Sequence, residues 1–189
     1  PPKAKVKKPL TKEESAKVIE AAIRKAAKKP TGELTKADLE KVTRLDLGGN
    51  KLTELPKELE KLTQLEMLFL NGNQLTDVPK GLEKLDQLKK LALDGNQLTD
   101  VKGLEKLTQL KALALSNNKL TEVPKSLEKL DQLKELYLYG NQLTDVKGLE
   151  KLTQLEELVL ADNPDLTKAQ IAELQKALPN CEIRSNPTK

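Results

Sequence analysis

The stretch LEMLFLNGN, residues 65–73, is one of six similar copies in the chain. The other five are VTRLDLGGN from residue 42, LKKLALDGN from 88, LKALALSNN from 110, LKELYLYGN from 133 and LEELVLADN from 155. Their final asparagines are separated by 22 or 23 residues and are Asn50, Asn73, Asn96, Asn118, Asn141 and Asn163. A regular period over six copies predicts an array in which each repeat packs on its neighbours.

Each copy carries the pattern of a short strand with one buried face. Leu68 and Leu70 are separated by one residue, and this alternation sends both side chains to the same side of a strand. The second part of each repeat, such as PKELEKLTQ from residue 56, is expected to return as a helical turn or an irregular segment. A buried asparagine at the end of each strand can bond the backbone of adjacent turns, so the six asparagines are predicted to form a structural ladder.

The LxxLxLxxN pattern resembles the leucine-rich repeat family, bacterial type, over residues 42–166. The resemblance implies an α/β solenoid with a curved parallel sheet on its concave face and short helices or irregular turns on its convex face. Residues 20–47 are similar to the helical N-terminal cap of internalins, and NGNQLTDV is similar to internalin repeats. The immunoglobulin-like region and cell-wall anchor of internalins have no counterpart in this sequence, so their adhesin role is not transferred.

The repeats are flanked by segments with helix-start signals. Thr11 and Thr167 each precede a Glu or Gln by three residues, as in a capping box, and Thr35 precedes Asp38 in the same way. We expect a flexible basic tail over residues 1–10, a helical cap over 11–41, the repeats over 42–166, and a C-terminal helical cap and tail over 167–189. The caps would cover the two apolar ends of the array.

Composition excludes several classes of protein. The chain has no histidine and one cysteine, Cys181, so the usual zinc sites, histidine-dependent catalysis and an intrachain disulfide are not expected. We expect Cys181 to be buried in the cap rather than reactive. No nucleotide-binding motif occurs, and we predict no cofactor and no metal site. No apolar run reaches the roughly 18 residues of a membrane span.

The net charge of +4 is unevenly distributed. The first 30 residues have 10 basic and 3 acidic side chains, whereas the other 159 have 23 basic and 26 acidic ones. The chain after residue 30 is therefore mildly acidic, which argues against a nucleic-acid partner.

Outward-pointing strand positions form two columns across the repeats. The first column contains Arg44, Met67, Lys90, Ala112, Glu135 and Glu157, and the second contains Asp46, Phe69, Ala92, Ala114, Tyr137 and Val159. All three aromatic residues and the single methionine occur on or just beyond these columns. Because such residues are favoured in binding surfaces, the predicted partner-binding residues are Met67, Phe69, Lys90, Ala92, Asp94, Glu135, Tyr137, Tyr139, Glu157 and Val159.

The leading functional hypothesis is a non-enzymatic module that binds a protein or peptide on its concave face. Three alternatives stay open: a structural module that self-associates, a carbohydrate or cell-envelope binder that uses tyrosine stacking, and aromatic residues that only pack against strand neighbours. We expect a monomer or weak self-association. The chain begins without methionine. If a signal peptide precedes Pro1 we expect a secreted or cell-envelope protein, and otherwise a cytoplasmic one. Such uniform repeats arise from recent duplication or from consensus engineering.

Overall fold

The computed structural model describes residues 8–187. Its α-helices are α1 (Lys12–Ala26), α2 (Lys36–Leu39) and α3 (Lys168–Ala177). Its strands are β1 (Arg44–Asp46), β2 (Met67–Phe69), β3 (Lys90–Ala92), β4 (Ala112–Ala114), β5 (Glu135–Tyr137), β6 (Glu157–Val159) and β7 (Glu182–Arg184). Residues 1–7 of the expected basic tail lie outside the described residues, and residues 8–10 have no regular secondary structure.

The seven strands form one parallel sheet in chain order, from β1 to β7. The register advances by one repeat per strand, so that Leu45 pairs with Leu68 and Leu68 with Leu91. The sheet is curved and does not close, which confirms the predicted solenoid. The seventh strand comes from the C-terminal segment, where Ile183 pairs with Leu158.

Leucine side chains fill the space between the sheet and the returning segments. Leu65, Leu68 and Leu70 on the strand side, and Leu62 on the returning side, are all fully buried. Burial of one leucine side chain contributes about 1.5 to 3 kcal/mol. The repeated leucines therefore supply most of the apolar burial in a chain in which 33% of residues are charged.

Each returning segment contains a short 3-10 helix. The five are Lys57–Lys61, Leu82–Lys84, Leu104–Lys106, Lys125–Lys129 and Leu149–Lys151. The two five-residue helices follow Pro56 and Pro124, whose extended backbone starts the turn. The three shorter ones follow a glycine with positive φ, at Gly81, Gly103 and Gly148. The three shorter helices thus have a glycine directly before the buried leucine, where the two longer ones have Glu58 and Ser126.

All three α-helices begin with a complete capping box. The Glu14 backbone N–H donates to the Thr11 hydroxyl at 3.2 Å, and the Thr11 N–H donates to the Glu14 carboxylate at 2.8 Å. Thr35 with Asp38 and Thr167 with Gln170 repeat this exchange. An ion pair from Lys29 at 2.6 Å and the Thr35 bonds hold the pKa of the Asp38 carboxyl well below its usual range.

The caps pack against the ends of the array. Ile19 and Ile23 of α1 are buried in the common core, and α1 packs on β1. At the other end Leu174 of α3 and Cys181 are buried. Within residues 8–187, no helix combines the length and apolar character needed to cross a membrane.

Candidate binding site on the concave face

The strand register brings the second column of outward-pointing residues together. Phe69 pairs with Ala92, Ala92 with Ala114, and Ala114 with Tyr137. Phe69 and Tyr137 are thus separated by three strand spacings, or about 14 Å. The small alanine side chains between them leave a shallow depression of about 300 Å³. Phe69 and Tyr137 lie at its two ends, and the alanines form an apolar floor between them.

Most of the predicted residues line this depression. Met67, Phe69, Lys90, Ala92, Glu135 and Tyr137 all belong to its wall or floor. Glu157 adjoins it through a hydrogen bond to Tyr137, whereas Asp94, Tyr139 and Val159 are not among its lining residues. The lining also includes Arg44, Ala112 and Ala114, which belong to the two columns but are not among the predicted binding residues.

Arg44 lies over the ring of Phe69, with its guanidinium carbon 4.4 Å from the ring centroid. The two residues are diagonal neighbours, because Arg44 pairs with Met67 and Phe69 with Asp46. A cation on an aromatic face is stabilised by about 0.5 to 1 kcal/mol at an exposed site. Arg44 therefore helps to hold the Phe69 ring in one orientation before any partner binds.

Tyr137 is held by carboxylates on its own and the next strand. Its hydroxyl donates to a Glu157 carboxylate oxygen at 3.0 Å, with a Glu135 oxygen at 3.3 Å. Burial and the bond to Glu157 raise the pKa of Tyr137 to about 12, so the phenol stays neutral. On β7, Arg184 forms an ion pair with Glu157 at 3.1 Å.

The row of residues just after the strands is also hydrogen-bonded. The Tyr139 hydroxyl interacts with Asp162, and this bond raises the pKa of Tyr139. Asp162 also accepts a bond from the Asn186 amide at 2.7 Å. Tyr139 is nonetheless 39% exposed, more than any other large apolar side chain in residues 8–187. Burial raises the pKa of Asp94, which accepts the Ser116 N–H at 3.0 Å.

Behind this face, the asparagines connect successive repeats. The Asn96 amide donates to the Leu93 carbonyl at 2.9 Å and to the Leu70 carbonyl of the preceding repeat at 3.0 Å, while its oxygen accepts the Leu75 N–H at 3.0 Å. The same three bonds are made by Asn73, Asn118, Asn141 and Asn163. Asn50 differs: it is half-buried, and its amide donates only to Gly48.

The described part of the chain shows little that could support metal or thiol chemistry. No group of three or more carboxylate or cysteine side chains in residues 8–187 is arranged to hold a metal ion. Cys181 is 4% exposed, and burial raises the pKa of its thiol. Its position agrees with the expectation of a buried cap residue.

Comparisons with known proteins agree with this geometry. The family model described as leucine rich repeat matches residues 40–98, 86–143 and 108–164. Internalin C2 of Listeria monocytogenes is 26% identical with a TM-score of 0.69, over 91% of this chain and 85% of that one. The internalin InlF of the same species is 23% identical with a TM-score of 0.68, over 91% of this chain and 64% of that one. No curated protein matches the sequence.

Proposed function

The chain belongs to the leucine-rich repeat family, and from this premise we propose that it is a non-enzymatic module that binds a protein or peptide on its concave face. The internalin-like character predicted from the sequence is confirmed by the similarity to internalin C2. Proteins of this fold typically serve as protein-interaction modules, and their curved arrays create extended concave surfaces.

The observation that carries the proposal is the placement of the aromatic residues. Phe69, Tyr137 and Tyr139 are three of 189 residues, and all three are at least partly exposed on the same face. Met67 is also there, beside Phe69. Aromatic and methionine side chains are enriched in interfaces because they bury a large area with few torsions to restrict.

The shape between the aromatic residues supports the same proposal. The alanines of β3 and β4 provide a smooth apolar floor, and Phe69 and Tyr137 rise on either side of it. A volume of about 300 Å³ lies at the lower end of the range for ligand pockets, which suits one or two bulky side chains of a partner. Because Arg44 and Glu157 hold the two rings, little side-chain freedom is lost on binding.

The test compares affinity capture by three forms of the protein. The first is the unaltered chain, and the second carries Phe69→Ala and Tyr137→Ala. The third is a convex-face control with Lys61→Ala and Lys106→Ala, which removes two exposed side chains away from the depression. Circular dichroism on all three checks that the fold is retained.

We expect a partner that the unaltered chain and the convex control retain and the double aromatic variant loses. Removal of two central anchors should weaken binding by at least about 2 kcal/mol. Equal capture by the aromatic variant and the unaltered chain would contradict the use of this face.

A further inference from the structure

The first column of the concave face changes sign along the array. Arg44 on β1 and Lys90 on β3 are basic, Ala112 on β4 is neutral, and Glu135 and Glu157 on β5 and β6 are acidic. The second column is uncharged from β2 to β6 and consists of Phe69, Ala92, Ala114, Tyr137 and Val159. The concave face therefore has an apolar row, the second column, beside a row that is basic at the N-terminal repeats and acidic at the C-terminal ones.

Several charged residues that lie directly before the strands, next to the first column, form ion pairs with one another. Lys89 forms an ion pair with Glu66 at 2.7 Å, and Lys134 with Glu156 at 2.6 Å. Arg184 partly neutralises Glu157. In contrast, neither Lys90 nor Glu135 takes part in an ion pair among the described residues. These two side chains, on either side of β4, thus define the polarity that an incoming partner meets.

The spacing of the rows matches an α-helix that lies across the strands. One helical turn advances about 5.4 Å, close to the 4.8 Å or so between neighbouring strands. The apolar row from β2 to β6 covers four strand spacings, about 19 Å, which corresponds to about 13 helical residues. An extended segment crossing the strands would leave its own backbone groups without partners on an apolar surface, whereas a helix satisfies them internally.

We propose that the concave face accepts an amphipathic partner helix, with its apolar stripe on the Phe69–Val159 row and acidic residues over Lys90 and basic residues over Glu135 and Glu157. The inference rests on the proposed function and specifies its partner. It is the helix-in-groove mode of recognition, in which apolar side chains at i, i+3 or i+4 and i+7 are the anchors. Charge complementarity sets which end of the helix lies over which repeats.

Synthetic peptides of about 16 residues, each able to cover the row, provide the test. The first peptide has a leucine and phenylalanine stripe, with glutamates on both flanks of its first half and lysines on both flanks of its second half. A second peptide has the same composition with the glutamates and lysines interleaved. A third is the first peptide with a central proline, which breaks the helix. Fluorescence anisotropy at low ionic strength measures their affinities.

We expect the first peptide to bind about tenfold more tightly than the interleaved one, since each exposed ion pair changes affinity by up to about fivefold. The proline peptide should lose binding. Lys90→Glu, at an exposed position, should weaken the first peptide and strengthen a peptide with lysines in both halves. Circular dichroism of the Lys90→Glu protein checks its fold.

Equal affinities for the first and interleaved peptides, or undiminished binding of the proline peptide, would overturn the inference. Failure of the inference is distinguishable from failure of the proposed function. A partner whose capture depends on Phe69 and Tyr137 but is unaffected by Lys90→Glu would retain the binding function and refute the charged helix as its ligand. If the first and interleaved peptides bind equally and capture of the partner does not depend on Phe69, both the inference and the proposed function are wrong.

Discussion

Substitution of Asn96 by alanine tests the role of the asparagine ladder. The Asn96 side chain is buried and makes three hydrogen bonds to backbone groups. The Leu70 and Leu93 carbonyls would keep a second bond, from Asn73 and Asn118 respectively. The Leu75 N–H would lose its Asn96 acceptor in the core.

The expected loss of stability is the sum of the hydrogen bonds that these backbone groups lose. A buried N–H without a partner costs about 1 to 3 kcal/mol, and each carbonyl bond that is lost costs roughly 0.5 to 1.5 kcal/mol. Asn96→Ala should therefore lower the free energy of unfolding by about 3 kcal/mol. Asn50→Ala is the matched control, because Asn50 is half-buried and its amide donates only to Gly48. It should cost less than about 1 kcal/mol.

Urea unfolding followed by circular dichroism measures both variants against the unaltered chain, with the midpoint and slope compared. Amide hydrogen exchange adds a local measurement, since the Leu75 amide should exchange faster in Asn96→Ala than in Asn50→Ala. Equal losses of stability at the two positions would refute the reasoning. So would a loss below about 1 kcal/mol for Asn96→Ala, because the ladder would then have no energetic role.

Three further predictions concern the convex side and the caps. Asp38→Asn should reduce the fall in melting temperature as pH is lowered below about 4. The ionised Asp38 carboxylate, whose pKa is lowered by Lys29 and Thr35, stabilises the fold above its unfolded pKa of about 3.9, and this contribution is lost as pH falls toward the lowered pKa. An unchanged pH profile would contradict this. Gly103→Ala should lower the free energy of unfolding by about 1 kcal/mol because of its positive φ alone. Gly81→Ala should lower it further in urea unfolding, because the new Cβ would also collide with the Glu60 side chain. A smaller loss at Gly81 than at Gly103 would be inconsistent with the collision. Cys181 should react with a thiol reagent only after unfolding, since it is buried and the pKa of its thiol is raised; rapid labelling of the native protein would show otherwise.

The repeat pattern predicts much of the fold because its residues have strong local requirements. Alternation at Leu68 and Leu70 predicts a short strand, and the structure has one at Met67–Phe69. Thr35 followed by Asp38 predicts a helix start, and Asp38 completes a capping box there. These features depend on residues within a few positions of one another, which sequence periodicity and spacing reveal.

Other features depend on contacts between distant residues and could not be read from the pattern. The sequence placed Arg44 and Phe69 in neighbouring columns, but their stacking depends on how far a side chain reaches diagonally across two strands. The ion pair of Arg184 with Glu157 joins residues 27 positions apart and depends on the parallel pairing of β7 with β6. The binding residues themselves remain predictions, because shape and charge suggest a partner without identifying it.

The asparagine ladder has a direction, since Asn73, Asn96, Asn118, Asn141 and Asn163 each bond the repeat that precedes them. Each of these repeats thus supplies an amide that bonds a buried backbone carbonyl of its N-terminal neighbour. In all but the last of them, the corresponding carbonyl is bonded in turn by the repeat that follows. The array can be spliced in whole units: deletion of residues 74–118 would bring Asn141 to the Leu70 carbonyl that Asn96 now bonds, while Asn141 keeps its present bond from the Leu120 N–H. The direction of these bonds makes repeat number a variable that can change by recombination while each junction keeps its hydrogen bonds.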